Sequence, residues 1–211
     1  MDEEVFDNMR LCTKGSVYFP REDSELAAHI VKMALANMND GVKILDMGCG
    51  TGYLGIAAMR SPKVSSVCFA DINPDAIECA KMNVTRNNPR NVQTSFVVSD
   101  LFSNVSGKFD IVMFNAPYLP DPSKDEITMN KEHEIALSGG KDGIELSMRF
   151  IDGLSQHIEE NSMVVLVGST ASNKDKLLNH ITESGFGYSV EATRKFFFEE
   201  IFVLAIWKTK A

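Results

Sequence analysis

Along the chain, short apolar runs alternate with stretches whose apolar residues recur at three- and four-residue spacing. Residues 42–48, 66–72, 94–99, 109–115 and 163–169 predict five buried strands, since a continuous apolar run bounded by polar or glycine residues suits a strand covered on both faces. The intervening segments 52–60, 73–88, 143–159 and 173–183 predict helices. Asn73-Pro74 supplies an N-cap and a first-turn proline for the second of them. Strands alternating with helices mean βαβ units, a mostly parallel sheet and right-handed crossovers. The ending differs: residues 188–198 and 201–208 are two strand patterns with only Glu199-Glu200 between them. So short a connection makes a hairpin and one antiparallel strand. Ahead of the first strand, residues 22–38 predict one amphipathic helix. The expectation is one α/β domain over residues 1–211, with a covering segment at 1–41 and a core at 42–211.

Composition narrows the class. The 211 residues carry a formal charge of −8 and are 44% hydrophobic, a soluble, folded composition. The acidic balance disfavours tight nonspecific binding to nucleic acid, which depends on neutralising phosphates with Lys and Arg. No apolar run approaches the roughly 20 residues of a membrane span, and the acidic start, Met1-Asp2-Glu3-Glu4, lacks the basic region of a secretory signal. Cys12, Cys49, Cys68 and Cys79 form no CxxC pair. The expectation is a cytoplasmic protein with reduced thiols and no metal site.

Two motifs carry chemistry. Asp46-Met47-Gly48-Cys49-Gly50-Thr51-Gly52 follows the first core strand and opens a helix, where glycines let the backbone turn tightly and approach a ligand. The next strand ends in Asp71-Ile72, suited to the two hydroxyls of a ribose, and the third ends in Ser99-Asp100-Leu101, suited to a base. Carboxylates at the strand ends favour a cationic nucleoside over a phosphorylated one, and S-adenosylmethionine has that chemistry. The second motif, Asn115-Ala116-Pro117-Tyr118, ends the fourth strand. The Asn115 oxygen and a backbone carbonyl of the Ala116–Pro117 turn can accept hydrogen bonds from a planar NH₂ group, Pro117 stiffens the turn, and Tyr118 can pack on the planar face.

Together these segments resemble class I S-adenosylmethionine-dependent methyltransferases that modify planar NH₂ nitrogens, and most closely the HemK-type protein-glutamine methyltransferases. VYFPREDS at residues 17–24 is similar to that family's VYxPxEDT segment, and ALSGGKDG at 136–143 to its A-x-x-GG-x-x-G segment. The resemblance implies a Rossmann-like sheet of seven strands in the order 3-2-1-4-5-7-6. It implies that Ser24, Asp46, Gly48, Gly50, Gly52, Asp71, Ile72, Asp100, Leu101 and Asn115 hold S-adenosylmethionine, Ser24 being equally readable as a helix N-cap. It also implies that Asn115, Ala116, Pro117 and Tyr118 hold the acceptor. The family's usual NPPY is NAPY here, which loosens the turn, because alanine does not fix φ. With no room for an N-terminal helical domain, the chain resembles the short eukaryotic and archaeal branch. The branch's substrate is the Gly-Gly-Gln glutamine of a class I translation termination factor, and its members work with a small zinc-binding activator subunit. The third strand, from Gln93 to Ser99, is an edge in that order. It carries Phe96, Val97 and Val98 consecutively, with no Lys or Pro to block pairing, and is the expected docking edge for the activator. Two other readings remain open: an adenine-N6 methyltransferase, disfavoured by the acidic charge and the lack of a recognition domain, and methylation of other proteins. His29 and His133 lie in no ligand-like spacing. Phe196-Phe197-Phe198 reads as strand core at the sheet end, with at least one of the three consecutive aromatics facing outward, and residues 119–141 as an irregular loop beside the second motif.

Overall fold

The structure is a computed structural model that describes residues 2–88, 90, 92–120, 139–196 and 198–209. His133 and most of the 119–141 loop lie outside the described residues. Among the described residues, seven strands form one sheet: β3 (Val42–Met47), β4 (Val64–Asp71), β5 (Gln93–Val98), β6 (Phe109–Asn115), β7 (Ile158–Ser169), β8 (Phe186–Lys195) and β9 (Glu200–Lys208). Their spatial order is β5-β4-β3-β6-β7-β9-β8, the order expected from the resemblance. The pairs from β5 through β7 are parallel, while β9 runs antiparallel to both neighbours.

The central strands are apolar on both faces because both faces are covered. Ile44, Phe69, Ile111, Val165 and Val203 face one buried cluster, and Leu45, Val112, Leu166, Phe202 and Leu204 face the other. The first cluster lies under α1 (Glu22–Ala36), α2 (Tyr53–Met59) and α3 (Pro74–Asn87), the second under α4 (Glu145–Gly153) and α5 (Lys174–Glu183). Asn73 caps α3 by accepting from the Asp75 N–H at 2.9 Å, and Asn173 caps α5 in the same way.

Three segments depart from expectation. Residues 143–159 are not one helix: α4 stops at Gly153, a 3₁₀ turn covers Leu154–Gln156, and β7 begins at Ile158. An irregularity in the pairing of β6 with β7 puts Ser162 at the bend, its hydroxyl donating to the Phe109 carbonyl at 2.7 Å. β8 ends at Lys195, so Phe196 and Phe198 lie in the β8–β9 turn, exposed, rather than in the core; Phe198 is fully exposed. Finally, β1 (Asp2–Phe6) and β2 (Met9–Thr13) form a hairpin that the apolar pattern did not reveal. Its turn residues Asp7 and Asn8 both have positive φ, +47° and +57°, the backbone that a two-residue hairpin turn requires. The fully buried Asn83 of α3 grips this hairpin and the glycine turn together. It accepts from the Cys12 N–H at 2.8 Å and donates to the carbonyls of Cys12 and Thr51 at 3.0 and 2.9 Å.

Candidate active site

The carboxyl ends of β3, β4, β5 and β6 open into a pocket of about 690 Å³, within the range of small-molecule sites. The glycine turn after β3 forms its floor. Gly48 and Gly50 have φ of +60° and +51°, and a Cβ on Gly48 would come within 2.9 Å of the Phe114 ring, so only glycine fits. Asp46 is buried under the turn and accepts from the Gly55 N–H at 2.8 Å, tying the strand end to the first turn of α2. Burial pushes its carboxyl up to about 8, with the charge of Asp71 adding to the effect.

Asp71 sits at the end of β4. Its two oxygens accept from the Gly50 and Asn73 N–H groups, each at 2.9 Å, and burial raises its carboxyl above the usual range. Ile72 beside it is exposed on the pocket wall. At the end of β5, Leu101 holds a positive φ of +47°, uncommon for a non-glycine residue, and lines the pocket. Asp100 pairs with Arg149 of α4 at 2.9 Å. Both members of that pair are about half exposed, so it is weak and exchangeable.

At the far end, β6 delivers Asn115, Ala116, Pro117 and Tyr118 to the pocket wall. The Asn115 NH₂ donates to Asp23 Oδ2 and to Ser24 Oγ, both at 3.1 Å, and the Tyr118 hydroxyl donates to the same Asp23 oxygen at 3.2 Å. Asp23 in turn accepts from the Ser24 N–H at 2.6 Å. Among the described residues, Asn115 Oδ1 is the one buried side-chain N or O atom without a hydrogen-bond partner. Burial and the Asp23 charge raise the Tyr118 hydroxyl far above its ordinary range, and Tyr18 is pushed up to about 12 by the same two causes. Glu199 from the β8–β9 turn closes this end, hydrogen-bonded to the Ser169 hydroxyl. Behind the motif, Gly139 donates its N–H to the Leu119 carbonyl at 2.9 Å. A Cβ on Gly139 would meet the Pro117 carbonyl at 2.6 Å, and one on Gly143 the Tyr118 carbonyl at 2.6 Å.

The structure therefore gathers Ser24, Asp46, Gly48, Gly50, Asp71, Ile72, Asp100, Leu101, Asn115, Ala116, Pro117 and Tyr118 around one pocket. Gly52 is not among the lining residues. Its φ of +79° makes it the left-handed N-cap of α2, where a Cβ would lie 3.1 Å from that of Ala80. Ser24 is not a helix N-cap: that position falls on Arg21, and Ser24 faces Asn115. His29 is exposed. Sequence reasoning assigned no role to Asp23, Arg149 or Glu199. Asp23 stood inside the 17–24 segment, while Arg149 and Glu199 carried no local signal. Among the described residues, the lining carries four carboxylates besides the buried, proton-holding Asp46, namely Asp23, Asp71, Asp100 and Glu199, against Arg21 and the already paired Arg149. That balance suits a cationic ligand.

Residues 8–133 match the methyltransferase small domain family. A Methanocaldococcus jannaschii protein with the provisional name protein N5-glutamine methyltransferase is 35% identical, over 96% of this chain and 97% of its own length. The release factor glutamine methyltransferase of Streptococcus pneumoniae is 27% identical over 76% of this chain; the match spans only 57% of that longer protein. Among solved structures, the E. cuniculi Mtq2–Trm112 complex responsible for methylation of the eRF1 translation termination factor superposes with a TM-score of 0.68. The match has 22% identity and covers 92% of this chain and 100% of the other. The seven-stranded order, the glycine turn and these matches agree: the chain belongs to the methyltransferase small domain family, with the Rossmann-like fold of class I methyltransferases.

Proposed function

We propose that this protein is an S-adenosylmethionine-dependent protein-glutamine methyltransferase acting in the cytoplasm on the glutamine of a Gly-Gly-Gln loop in a class I translation termination factor. The observation that carries the acceptor assignment is the buried, partnerless Asn115 Oδ1 beside Tyr118. An unsatisfied buried acceptor is costly unless a ligand donor completes it, and a carboxamide NH₂ is a donor of the right shape. The names of the archaeal and streptococcal relatives and the E. cuniculi complex support the choice of glutamine and of a termination factor.

The residues fit the cofactor. Asp71 holds the ribose, Ile72, Asp100 and Leu101 address the adenine, and Asp46, Gly48, Gly50 and Ser24 surround the methionine portion. When bound, S-adenosylmethionine supplies an electrophilic methyl group. The chain's own work is positioning. A glutamine nitrogen is barely basic, and the NAPY motif offers no strong base. Asn115 Oδ1 accepts one N–H of the substrate amide. The carbonyls of Pro117 and Tyr118 lie against Gly139 and Gly143, which leaves the Ala116 carbonyl for the other. Tyr118 covers the amide face. Fixing a nucleophile in this way supplies several kcal/mol, up to roughly 7–11 in ideal systems.

The whole chain acts as one domain, with residues 1–41 covering the site and 42–211 forming the core. Its partner is a small zinc-binding activator subunit seated on β5. Among the described residues that strand pairs only with β4, and Val98 is 45% exposed. A free edge with apolar residues accepts a strand from another chain. The E. cuniculi complex supports a partner of this kind.

The test is methyl transfer from labelled S-adenosylmethionine to a Gly-Gly-Gln termination factor and, in parallel, to DNA and RNA oligonucleotides, with and without the activator. Label on the termination factor glutamine that is abolished in Asn115→Ala, at near-normal cofactor affinity, supports the proposal. Label on adenine instead moves the assignment to the nucleic-acid enzymes. A lone chain that is monomeric and fully active, or a complex indifferent to Thr94→Asp, removes the edge docking.

A further inference from the structure

Two side chains of the acceptor end, Asn115 and Tyr118, converge on one carboxylate oxygen that neither belongs to their motif nor lies near it in sequence. Asp23 enters from the first turn of α1 and is only 6% exposed. Its Oδ2 accepts from both the Asn115 NH₂ and the Tyr118 hydroxyl, and its Oδ1 accepts from the Ser24 N–H. The Ser24 hydroxyl is aligned too, donating to Asp23 Oδ1 at 3.2 Å while accepting from Asn115.

A carboxamide can sit in a site two ways round, presenting either its oxygen or its NH₂, and the two differ little in shape. An ionised carboxylate only accepts hydrogen bonds. With Asp23 on one side, the Asn115 NH₂ must turn toward it, and the oxygen is left on the other side. That is the observed state: the NH₂ has two acceptors, and Oδ1 is buried with none. Were Asn115 to flip, its NH₂ would confront the donor group of the acceptor and its oxygen would confront Asp23.

Resting on the glutamine-methyltransferase reading above, we infer that Asp23 is a positioning residue that locks the carboxamide of Asn115 oxygen-inward and the Tyr118 ring in place, so that the site selects an acceptor bearing an NH₂ group. Asp23 touches the acceptor-binding side chains, and its effect passes through them.

The reasoning makes an unusual demand on double substitution. Asp23→Asn replaces an obligate acceptor with a group that can also donate, so the Asn115 carboxamide loses its forced orientation. Asn115→Asp sets two carboxylates against each other, a repulsive arrangement in a buried site. The reciprocal swap, Asp23→Asn with Asn115→Asp, restores the contact in reverse. Asn at 23 donates to Asp at 115, and the second oxygen of that carboxylate is an acceptor in either orientation.

The experiment measures three quantities on the full chain with its activator. Cofactor affinity by calorimetry, without acceptor, is expected to change less than about threefold in Asp23→Asn, while kcat falls by about tenfold to a hundredfold, the scale of a slightly misplaced reacting group. The swapped double variant is expected to recover at least about tenfold in kcat over the poorer single variant, a non-additivity that only directly coupled residues show. The third readout needs neither cofactor nor substrate. In ¹⁵N-asparagine-labelled protein, the side-chain NH₂ pair that disappears in Asn115→Asp should exchange slowly with solvent in the native chain and quickly in Asp23→Ala. An Asp23→Asn variant that keeps most of its kcat, a swap no better than the single variants, or an Asn115 NH₂ pair whose exchange ignores residue 23 overturns the inference. A native chain that fails to label glutamine but retains the protected NH₂ pair refutes the substrate reading instead and leaves the positioning role standing.

Discussion

Replacing Asp71 with alanine tests the ribose assignment with a magnitude the structure sets. The carboxylate has roughly four lone-pair directions; the Gly50 and Asn73 N–H groups take one on each oxygen, leaving acceptor capacity toward the pocket for a vicinal diol. Burial already strips water from Asp71 and raises its carboxyl, so little further desolvation opposes the ligand bonds. A hydrogen bond to a charged group contributes about 1.5–3 kcal/mol, which is a loss of about 10- to 150-fold in affinity. The same substitution strands the Gly50 and Asn73 N–H groups and loosens the glycine turn, so a simple loss of affinity is ambiguous. The decisive assay is calorimetry of S-adenosylhomocysteine and of its 2′-deoxy analogue on both proteins. If Asp71 holds the ribose, the native chain discriminates against the analogue and Asp71→Ala does not. An equal deoxy penalty in the two proteins would refute the assignment, however weak the variant's binding.

Gly139→Ala is a steric test of the motif's backing. Gly139 does not hold a positive φ, but a Cβ there would lie 2.5 Å from the Gly143 carbonyl and 2.6 Å from that of Pro117. Overpacking of this kind costs about 1–3 kcal/mol, a Tm drop of about 2–12 °C at this size, and kcat should fall while cofactor affinity holds; unchanged Tm and kcat would contradict the packing. Asp46 predicts a pH effect. Its folded carboxyl is pushed up to about 8 by burial, so folding favours the protonated form; that stability is complete below the ordinary carboxylate range and is lost as pH rises toward 8. Tm of the native chain should therefore decline between pH 5 and 8 more than that of Asp46→Asn, which stays neutral and keeps an oxygen for the Gly55 N–H; parallel curves would count against it.

The parts of the fold that were legible are those whose cause is local. The apolar runs of β3 and β6 read as strands because both faces are buried, and Asn73-Pro74 marked the start of α3 because its cap spans two residues. The N-terminal hairpin was missed because its first strand is largely exposed, with Val5 72% exposed, so no apolar alternation announced it. The Asp7-Asn8 pair was its one signal. Residues 143–159 carried helical spacing, but Gly153 and the 3₁₀ turn after it cut the pattern short. Phe196 and Phe198 read as the end of a strand over 188–198. They ended in a turn because the Phe196 N–H closes the hairpin on the Glu199 carbonyl at 2.8 Å, and strand pairing decides that, not hydrophobicity.

The candidate site divides along the same line. Its floor is made of strand ends and glycines, each placed by its own few neighbours, and was readable. The setting of Asn115 was not, since the contact that orients it crosses 92 residues from Asp23. The alanine in NAPY belongs to both halves of this division. A proline at 116 would fix φ from within the turn; Ala116 cannot, yet it is buried at 1% exposure in the apolar cluster on the α4 side. The turn is held from outside instead, by the Gly139 N–H on the Leu119 carbonyl, by the close approach of Gly139 and Gly143 to the Pro117 and Tyr118 carbonyls, and by Asp23 on the Tyr118 hydroxyl. Each of these supports arrives from a distant segment. The stiffness that proline would build into the motif locally is here distributed over the tertiary structure, and the sequence around residue 116 could not show it.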